Sequence, residues 1–369
     1  MIQTEKLAYG IGITADYSDV DLGTRDIDAG SIENIPGATE CEIESKELGI
    51  KNNALFTYLV ENAKDCFEIT IDSSTSSRAK ADCKEAEVER SPTSTEISRL
   101  TPFARDDVIL FPLKIKATSD TAMAYIKIIV KSGTTVTIHE QITPKDMIGC
   151  IIDVILEEGA SVTYIADQRV REDTSVLVLR RAFVKQDASV KWIDLAIGAS
   201  IANSSIYTML EEPGAVGKTY GLFYGRAEQL HDINHTTIHR APYTISNMKT
   251  NGVLDEKAKA VYRSLIDIRE NALNSDGHQK EETLLLSREA QISSVPDLEI
   301  ANSEVVCSHG VSTTNIEDAS LFYFHSRGMD TETAKQAIVE GHLGVILDEI
   351  EDESIKLRIY DEMYNRTRI

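Results

Sequence analysis

A phrase that recurs four times between residues 132 and 225 constrains the fold more than any other feature of the sequence. Its copies read SGTTVTIHEQI, EGASVTYIADQ, QDASVKWIDLAIG and PGAVGKTYGLFYG. They open 26, 28 and 27 residues apart, at the turn residues Gly133, Gly159, Asp187 and Gly214. Near-constant spacing is typical of repeat architectures, in which each unit stacks on its neighbours.

Each copy continues with alternating apolar residues, which predicts a β-strand with one buried face. Val162 and Tyr164 in one copy, and Val190 and Trp192 in another, are expected to point inward. A related phrase, LDEKAKAVYRSLIDI, begins at Leu254 after a longer gap. Short strands repeated at this spacing, without helices between them, favour a right-handed parallel β-helix. An antiparallel β-sandwich is the alternative, but it would not produce phrases at near-constant spacing.

The fold class is therefore predicted to be mainly β, with three regions along the chain. A small α/β region over residues 1–104 precedes the β-helix over residues 105–312, and a helical unit over residues 313–369 follows it. In the first region, residues 53–64 suit an amphipathic helix and residues 66–71 suit a strand.

The helical unit is predicted because the apolar period changes after residue 317. One face of the main helix is expected to carry Ala334, Ala337, Ile338, Gly341 and Val345. Gly328 suits the C-terminal cap of the helix before it. A solenoid needs its exposed strand edges covered at its ends, and these helices are suited to that task.

The acidic composition argues against a nucleic-acid partner. The chain carries 60 acidic and 38 basic residues, a net charge of −22, whereas nonspecific nucleic-acid binding needs Lys and Arg. No membrane span is expected, because the apolar run at 147–156 contains Asp153 and is far shorter than the roughly 20 residues a bilayer requires. The opening residues MIQTEK lack the apolar core of a leader peptide, which favours the cytoplasm.

Three histidines at a spacing of four residues, His231, His235 and His239, suggest a metal-binding stripe at first sight. The β-branched residues among them favour a strand, on which they would share one side. Residues four apart on a strand lie about 13 Å apart, too far to share an ion. A polar ladder on one solenoid face is therefore the preferred interpretation. No glycine-rich phosphate loop precedes them, so an intrinsic ATPase is not expected.

Cys307 and His309 form the second candidate site, because residues two apart on an extended segment face the same side. A thiolate and an imidazole are both good ligands for iron. The alternative is a buried Cys packed as a small hydrophobe beside a His that bonds a backbone carbonyl. None of the cysteines forms a Cys-x-x-Cys pair, so reduced thiols are expected; the five are Cys41, Cys66, Cys83, Cys150 and Cys307.

The run CSHGVSTTNIEDASLFYFHSRGMDTETAKQAIVEGHLGVIL resembles the C-terminal signature of the SufB/SufD proteins of iron–sulfur cluster assembly. The matching features are the Cys-Ser-His-Gly turn, the Leu-Phe-Tyr run, the Ser-Arg-Gly at residues 326–328 and the Ala-rich helix. The upstream segments KAVYRSLIDIRENALNSDGHQKEETLLLS and VPDLEI are also similar to family segments. The resemblance covers residues 214–350 well and the N-terminal third only faintly.

The resemblance implies a non-catalytic scaffold subunit of the SUF complex with a β-helix core. It implies an ABC-type ATPase, SufC, as one partner and either a second copy or a SufB/SufD paralogue as the other. His309, with Cys307, becomes a candidate ligand of a transient iron–sulfur cluster. The helical unit becomes the expected ATPase docking site, with anchors at Leu321, Phe322, Tyr323 and Arg327.

Two positions depart from the SufB pattern. Ala290 stands where SufB proteins carry a cysteine proposed to receive sulfur, and Gly310 stands where they carry a glutamate. The chain is therefore more similar to SufD, or to a simplified archaeal-type SufB/SufD homologue, and sulfur acceptance by this subunit is in question.

A β-helix enzyme acting on polysaccharide in an acidic groove is the alternative function. It would need carboxylates clustered on one solenoid face. Asp194, Asp232 and Asp267 lie in different sequence contexts, which argues against such a groove.

Overall fold

The computed structural model describes residues 65–71, 95–99, 103–105, 108–117, 119–316 and 318–366. The helix predicted over residues 53–64 lies outside these residues. The strand predicted over residues 66–71 is observed as β1 (Asp65–Ile71).

Within the described residues the chain forms eighteen strands, most of them nine to eleven residues long. After β1 they are β2 (Thr95–Arg99), β3 (Phe103–Arg105), β4 (Val108–Ala117), β5 (Thr121–Val130), β6 (Thr135–Thr143), β7 (Met147–Leu156), β8 (Ser161–Arg169), β9 (Ser175–Val184), β10 (Ser189–Ile197), β11 (Ile201–Leu210), β12 (Val216–Gly225), β13 (Leu230–His239), β14 (Ile245–Leu254), β15 (Lys259–Ile268), β16 (Ser275–Leu285), β17 (Gln291–Ile300) and β18 (Val305–Asn315).

The strands form two sheets in alternation. The odd sheet runs β1-β5-β7-β9-β11-β13-β15-β17, and the even sheet runs β18-β16-β14-β12-β10-β8-β6-β4-β2, with β3 beside β4. Pairing is parallel throughout, apart from the antiparallel contacts of β2 and β3 with β4. Each coil thus contributes one strand to each sheet, and the predicted parallel β-helix is confirmed.

The side chains that stack between coils fill the interior as the alternation predicts. Val162 pairs with Val190, and Tyr164 pairs with Trp192. All four are buried in the main core, and the two aromatic rings lie 4.8 Å apart. The indole nitrogen of Trp192 donates to Thr208 Oγ1 at 3.1 Å, so its polar atom is satisfied inside the solenoid.

The fifth phrase, at Leu254, does not continue the series formed by the other four. The four phrases are β6, β8, β10 and β12 of the even sheet, whereas the fifth forms β15 of the odd sheet. Its tight turn at Glu256 adopts the same left-handed conformation, φ 52°, which explains the similarity. The next strands of the even sheet are β14 and β16. The left-handed residues before them are Tyr243 and Asn274, with φ 59° and 56°, and neither is a glycine.

Three helices follow the last strand: α1 (Asp318–Ser326), α2 (Thr331–Leu347) and α3 (Glu353–Arg366). Gly328 has φ 85°, and its amide donates to His325 O at 2.9 Å, so it ends α1 as predicted. The Asp330 side chain accepts from Thr333 N at 2.8 Å and caps the start of α2.

The helices do not cover the end of the solenoid, as the sequence had suggested, but the outer face of the even sheet. Val339, Leu343 and Ile346 of α2 pack in one cluster with Ile193 and Val253 of the sheet. Apolar side chains point outward from the central even-sheet strands, among them Ile165, Leu195 and Leu222, and their burial stabilises the docked helices. The predicted apolar face of α2 was therefore partly wrong. Ala334 is buried, but Val345 is exposed.

Polar contacts fix α2 on the sheet. Asn251 Nδ2 donates to His342 O at 2.7 Å, and His342 Nε2 lies 3.1 Å from both Gly252 O and Glu282 O. Two backbone carbonyls of neighbouring strands thus share one imidazole N–H. These bonds hold the C-terminal half of α2 against β14 and β16.

Candidate functional site at the terminal coil

We call β17 and β18 the terminal coil, because they end the odd and even sheets. In both sheet orders each pairs with a strand on one side only among the residues that the structure describes. Inner strands such as β9 are buried along nearly their whole length, whereas most residues of β18 are exposed. Val306 is 61% exposed. The free edge presents unpaired backbone N–H and C=O groups, which favour addition of another chain.

Cys307 and His309 both lie on β18, beside Gly277 and Gln279 of β16. Cys307 packs on the inner side with Met248 and Leu298, and its side chain is half-buried. His309, two residues on, has the same facing on this strand and is exposed. The structure therefore places the two candidate ligands on one side of one strand.

The thiol of Cys307 has a raised pKa. Burial is the largest cause, and it outweighs the opposing hydrogen bond with the Gly277 backbone. The group is therefore a protonated thiol at neutral pH, and a thiolate would form only with loss of that proton to a bound metal ion.

Beside the terminal coil, β16 carries polar side chains that sequence reasoning missed. Gln279 Nε2 crosses the interior to Asp297 O at 3.0 Å, and Thr283 donates to a Glu281 carboxylate oxygen. Gln279 Oε1, Glu281 Oε2 and Ser294 Oγ are buried and have no hydrogen-bond partner among the described residues. The alternation of β16 was the available signal, since it puts Gln279 and Glu281 on the inner face.

Ala290 and Gly310, where the sequence departs from the SufB pattern, occupy different surroundings. Ala290 is buried in an apolar cluster with Ala258 and Tyr262. A methyl group added at Gly310 would meet nothing within 4 Å, so the backbone there is open to close approach.

The outer face of β16 and β18 carries a second polar group that the sequence did not reveal. Ser308 Oγ lies 2.6 Å from His278 Nδ1, and His278 Nε2 lies 2.7 Å from Asp276 Oδ1. Asp276 Oδ1 nevertheless makes no hydrogen bond of normal geometry. Strand alternation separates this group from Cys307 and His309, which face the inner side.

The predicted docking residues lie at α1. Phe322 is 73% and Tyr323 57% exposed, whereas Leu321 is half-buried. The Arg327 guanidinium stands 5.4 Å from the centre of the Tyr323 ring, a cation–π contact. Three of the four residues thus form an exposed aromatic and basic surface.

The three histidines of β13 share one side of a strand, as predicted, but that side is the solenoid interior. His235 lies 3.2 Å from Asp194 Oδ2, and His239 lies 2.7 Å from Thr244 Oγ1. His231 has no partner for either ring nitrogen among the described residues. Burial lowers the pKa of His231 and of His239 to about 4. Each ring has its own surroundings, in keeping with separate structural roles.

The three aspartates of the alternative function form no common groove. Asp194 is buried inside the solenoid, while Asp232 and Asp267 pair with Arg263 and Arg269. Among the residues described, no three His, Cys, Asp or Glu side chains lie within reach of one metal ion. No helix in this part of the chain has the length and apolar character needed to span a membrane.

Comparison with known proteins identifies the family. The family model described as "SUF system FeS cluster assembly, SufBD core domain" matches residues 113–342, which is more than half of the chain. The chain belongs to the SufBD family. The resemblance to SufB/SufD proteins seen in the sequence is thereby confirmed, and the SufBD match runs from β4 into α2, including the whole terminal coil.

Curated relatives carry the same family name. Iron–sulfur cluster assembly SufBD family proteins of Staphylococcus aureus (strain USA300) and Staphylococcus haemolyticus (strain JCSC1435) are each 25% identical over 201 residues. The similar region covers 54% of this chain and 43% of each relative. The chain thus spans less than half the length of the curated relatives it matches.

Proposed function

We propose that this SufBD protein is a non-catalytic scaffold subunit on which an iron–sulfur cluster is assembled, in the cytoplasm. The observation that carries the proposal is that Cys307 and His309 share one side of the last strand of a SufBD core, whose second edge has no partner strand among the described residues. The cluster is cargo that the subunit holds and passes on. ATP hydrolysis would belong to a SufC-type ATPase bound at the helical unit.

The chemistry of the two side chains supports this role. An imidazole nitrogen and a thiolate bind iron, and two ligands on one chain leave other positions of the cluster for a partner. Because the pKa of Cys307 is raised, metal binding there must release a proton. A site completed only when a partner adds its ligands would load at an interface and release cargo when the partners move apart.

The free edge of β18 supports pairing with a second copy or with a SufB/SufD paralogue. Strand addition supplies backbone hydrogen bonds, and the exposed valines of β18 supply apolar area. Such pairing would bring a second chain beside His309. The open space at Gly310 allows its backbone to approach closely.

Sulfur would reach this site from another protein. Ala290 holds the place of the SufB cysteine, and its apolar surroundings offer no thiol in its stead. The partner or a sulfur donor would therefore supply sulfide, while this chain supplies ligands and shape.

His309→Ala is the direct test of the proposal. We expect it to abolish cluster formation in a complex reconstituted with its ATPase and paired subunit, and to leave the melting temperature unchanged because the side chain is exposed. Cluster yield is followed by visible absorption, and stability by thermal unfolding of the same sample. His278→Ala, on the outer face of the neighbouring strand, is the matched control and should retain full yield. A normal cluster yield from His309→Ala would remove the ligand role.

A further inference from the structure

Three buried oxygen atoms between β16 and β17 lack hydrogen-bond partners among the described residues: Gln279 Oε1, Glu281 Oε2 and Ser294 Oγ. Gln279 and Glu281 are 4% and 1% exposed, and the Ser294 hydroxyl is buried although the residue itself is only half-buried. A buried polar atom without a partner costs free energy, and native structures rarely retain one without a reason. Three between one pair of facing strands are typical of a place that a water molecule or an ion occupies.

These atoms converge from the two sheets. Gln279 and Glu281 lie two apart on β16 and share its inner face, while Ser294 lies on β17 across the interior. Ser294 is near enough to lower the pKa of Glu281, although the two side chains make no bond of normal geometry. His309 pairs with Gln279 in the β16–β18 register, about 4.8 Å away along the sheet, and Val311 pairs with Glu281.

The charge around Glu281 is unbalanced. Burial is the largest influence on its pKa and raises it, and the only charged neighbour that acts on it, Glu282, raises it further. No Lys or Arg is among the groups that shift it. Buried carboxylates in proteins are normally paired with a base or bound to a metal ion. Glu281 has no base to pair with, so a bound cation would stabilise its charged form in place of the proton that the raised pKa favours.

We propose that Glu281, Gln279 and Ser294 form an oxygen-donor site for a divalent cation, which His309 completes from β18. Carboxylate, amide and hydroxyl oxygens suit hard divalent cations, and the imidazole shifts the preference toward first-row transition metals such as ferrous ion. The inference rests on the proposed scaffold function and deepens it. The chain takes up bare iron through oxygen and nitrogen donors before any sulfide arrives.

Manganese(II) tests the site, because its free form is counted by electron paramagnetic resonance without sulfide, partner or ATP. The full chain is expected to bind one equivalent. Glu281→Gln keeps the shape but removes the charge, and should weaken binding at least about tenfold. Glu289→Gln is the matched control, since Glu289 is exposed and is not among the groups that shift the pKa of Glu281. It should bind as the unaltered chain does.

Two results overturn the inference: no stoichiometric manganese binding by the unaltered chain, or equal binding by Glu281→Gln. Ser294→Ala provides the same comparison with a neutral residue if Glu281→Gln fails to fold, and unchanged binding by Ser294→Ala would then reject the site. Cluster yield and ATPase capture are measured separately. Normal cluster assembly without manganese binding would reject this cation site but support the scaffold function. Manganese binding without cluster assembly would support the cation site but reject the scaffold function.

Discussion

Adjacent residues Arg180 and Arg181 show how far side-chain roles diverge along one strand. Arg180 faces the interior and makes two bonds to Glu140, of 2.9 and 2.6 Å, with both side chains fully buried. Arg181 faces outward and holds Asp153 through bonds of 2.7 and 2.6 Å. Coulombic and hydrogen-bonding contact with Glu140 outweighs burial, so the pKa of Arg180 is raised and the guanidinium stays charged.

Glu140→Gln is predicted to destabilise the protein by about 3–5 kcal/mol, because it leaves a buried guanidinium without its main counter-charge. Urea unfolding measures the change. Glu157→Gln is the matched control, since Glu157 pairs with Lys131 at 2.7 Å on the surface. It should cost no more than about 1 kcal/mol. Equal effects of the two variants would mean that the interior pair adds no stability of its own.

The buried histidines of β13 predict acid sensitivity. Burial lowers the pKa of His231 and His239 from 6.5 to about 4 in the folded chain. Between those values the unfolded chain binds more protons than the folded one, so stability falls as the pH falls through this window. The slope is about 1.4 kcal/mol per pH unit for each histidine. His231→Leu should flatten the dependence of unfolding free energy on pH between 6.5 and 4, and an unchanged slope would contradict the assignment.

At the level of elements, α1 is distinct from the other two helices. The buried faces of α2 and α3 lie on the even sheet, whereas α1 leaves Phe322 and Tyr323 in solvent. Large exposed aromatic side chains beside an Arg are typical anchors of protein interfaces.

Phe322→Ala combined with Arg327→Glu is predicted to abolish capture of the SufC-type ATPase in a pull-down. The change removes the apolar anchor and reverses the charge beside it, but touches no buried contact, so thermal stability should stay unchanged. Leu357→Ala, an exposed apolar residue of α3, is the control and should bind normally. Full ATPase binding by the double variant would mean that α1 is not the docking element.

The two sheets differ in how much of them the sequence predicts. Even-sheet strands such as β12 alternate between buried and more exposed residues in their first half, and left-handed turns precede them. Their repeats can therefore be recognised in the sequence. The odd-sheet strand β9, SVLVLRRAFV, is buried at nine of its ten positions, which erases the alternation.

The same contrast applies to the candidate site. Cys307 and His309 share one strand, so their common side follows from spacing alone. The contacts of Gln279 and Glu281 with β17 join residues brought together by the stacking of coils. The local sequence does not indicate which strands will face each other. Neither the buried Arg180–Glu140 pair nor the cluster of Gln279, Glu281 and Ser294 could therefore be predicted.

At the scale of the whole molecule, the terminal coil presents a free edge on a strand that exposes Val306 and Val311. We predict a homodimer through β18 in the absence of a paralogue. Val306→Lys with Val311→Lys should convert it to a monomer, because charged edges oppose strand addition. Light scattering at micromolar concentration reports the mass, with Leu357→Lys as the control that stays dimeric. A monomeric unaltered chain would exclude this mode of pairing.

Because the helices dock on the side of the solenoid, the number of coils can change without changing how the helices are held. Each coil advances the stack by about 4.8 Å, so a solenoid acts as a ruler whose length is set by how many units it contains. Here α2 lies against β12 and β14, beside the terminal coil, and not at a far end. The third helix reaches back to β6, where Arg358 lies 3.4 Å from His139. Gain of a whole coil on the β1 side of these contacts would therefore lengthen the protein without moving the terminal coil relative to the helices. Evolution could change the length of such a solenoid while the distance between the strand of Cys307 and His309 and the helix α1 stayed constant.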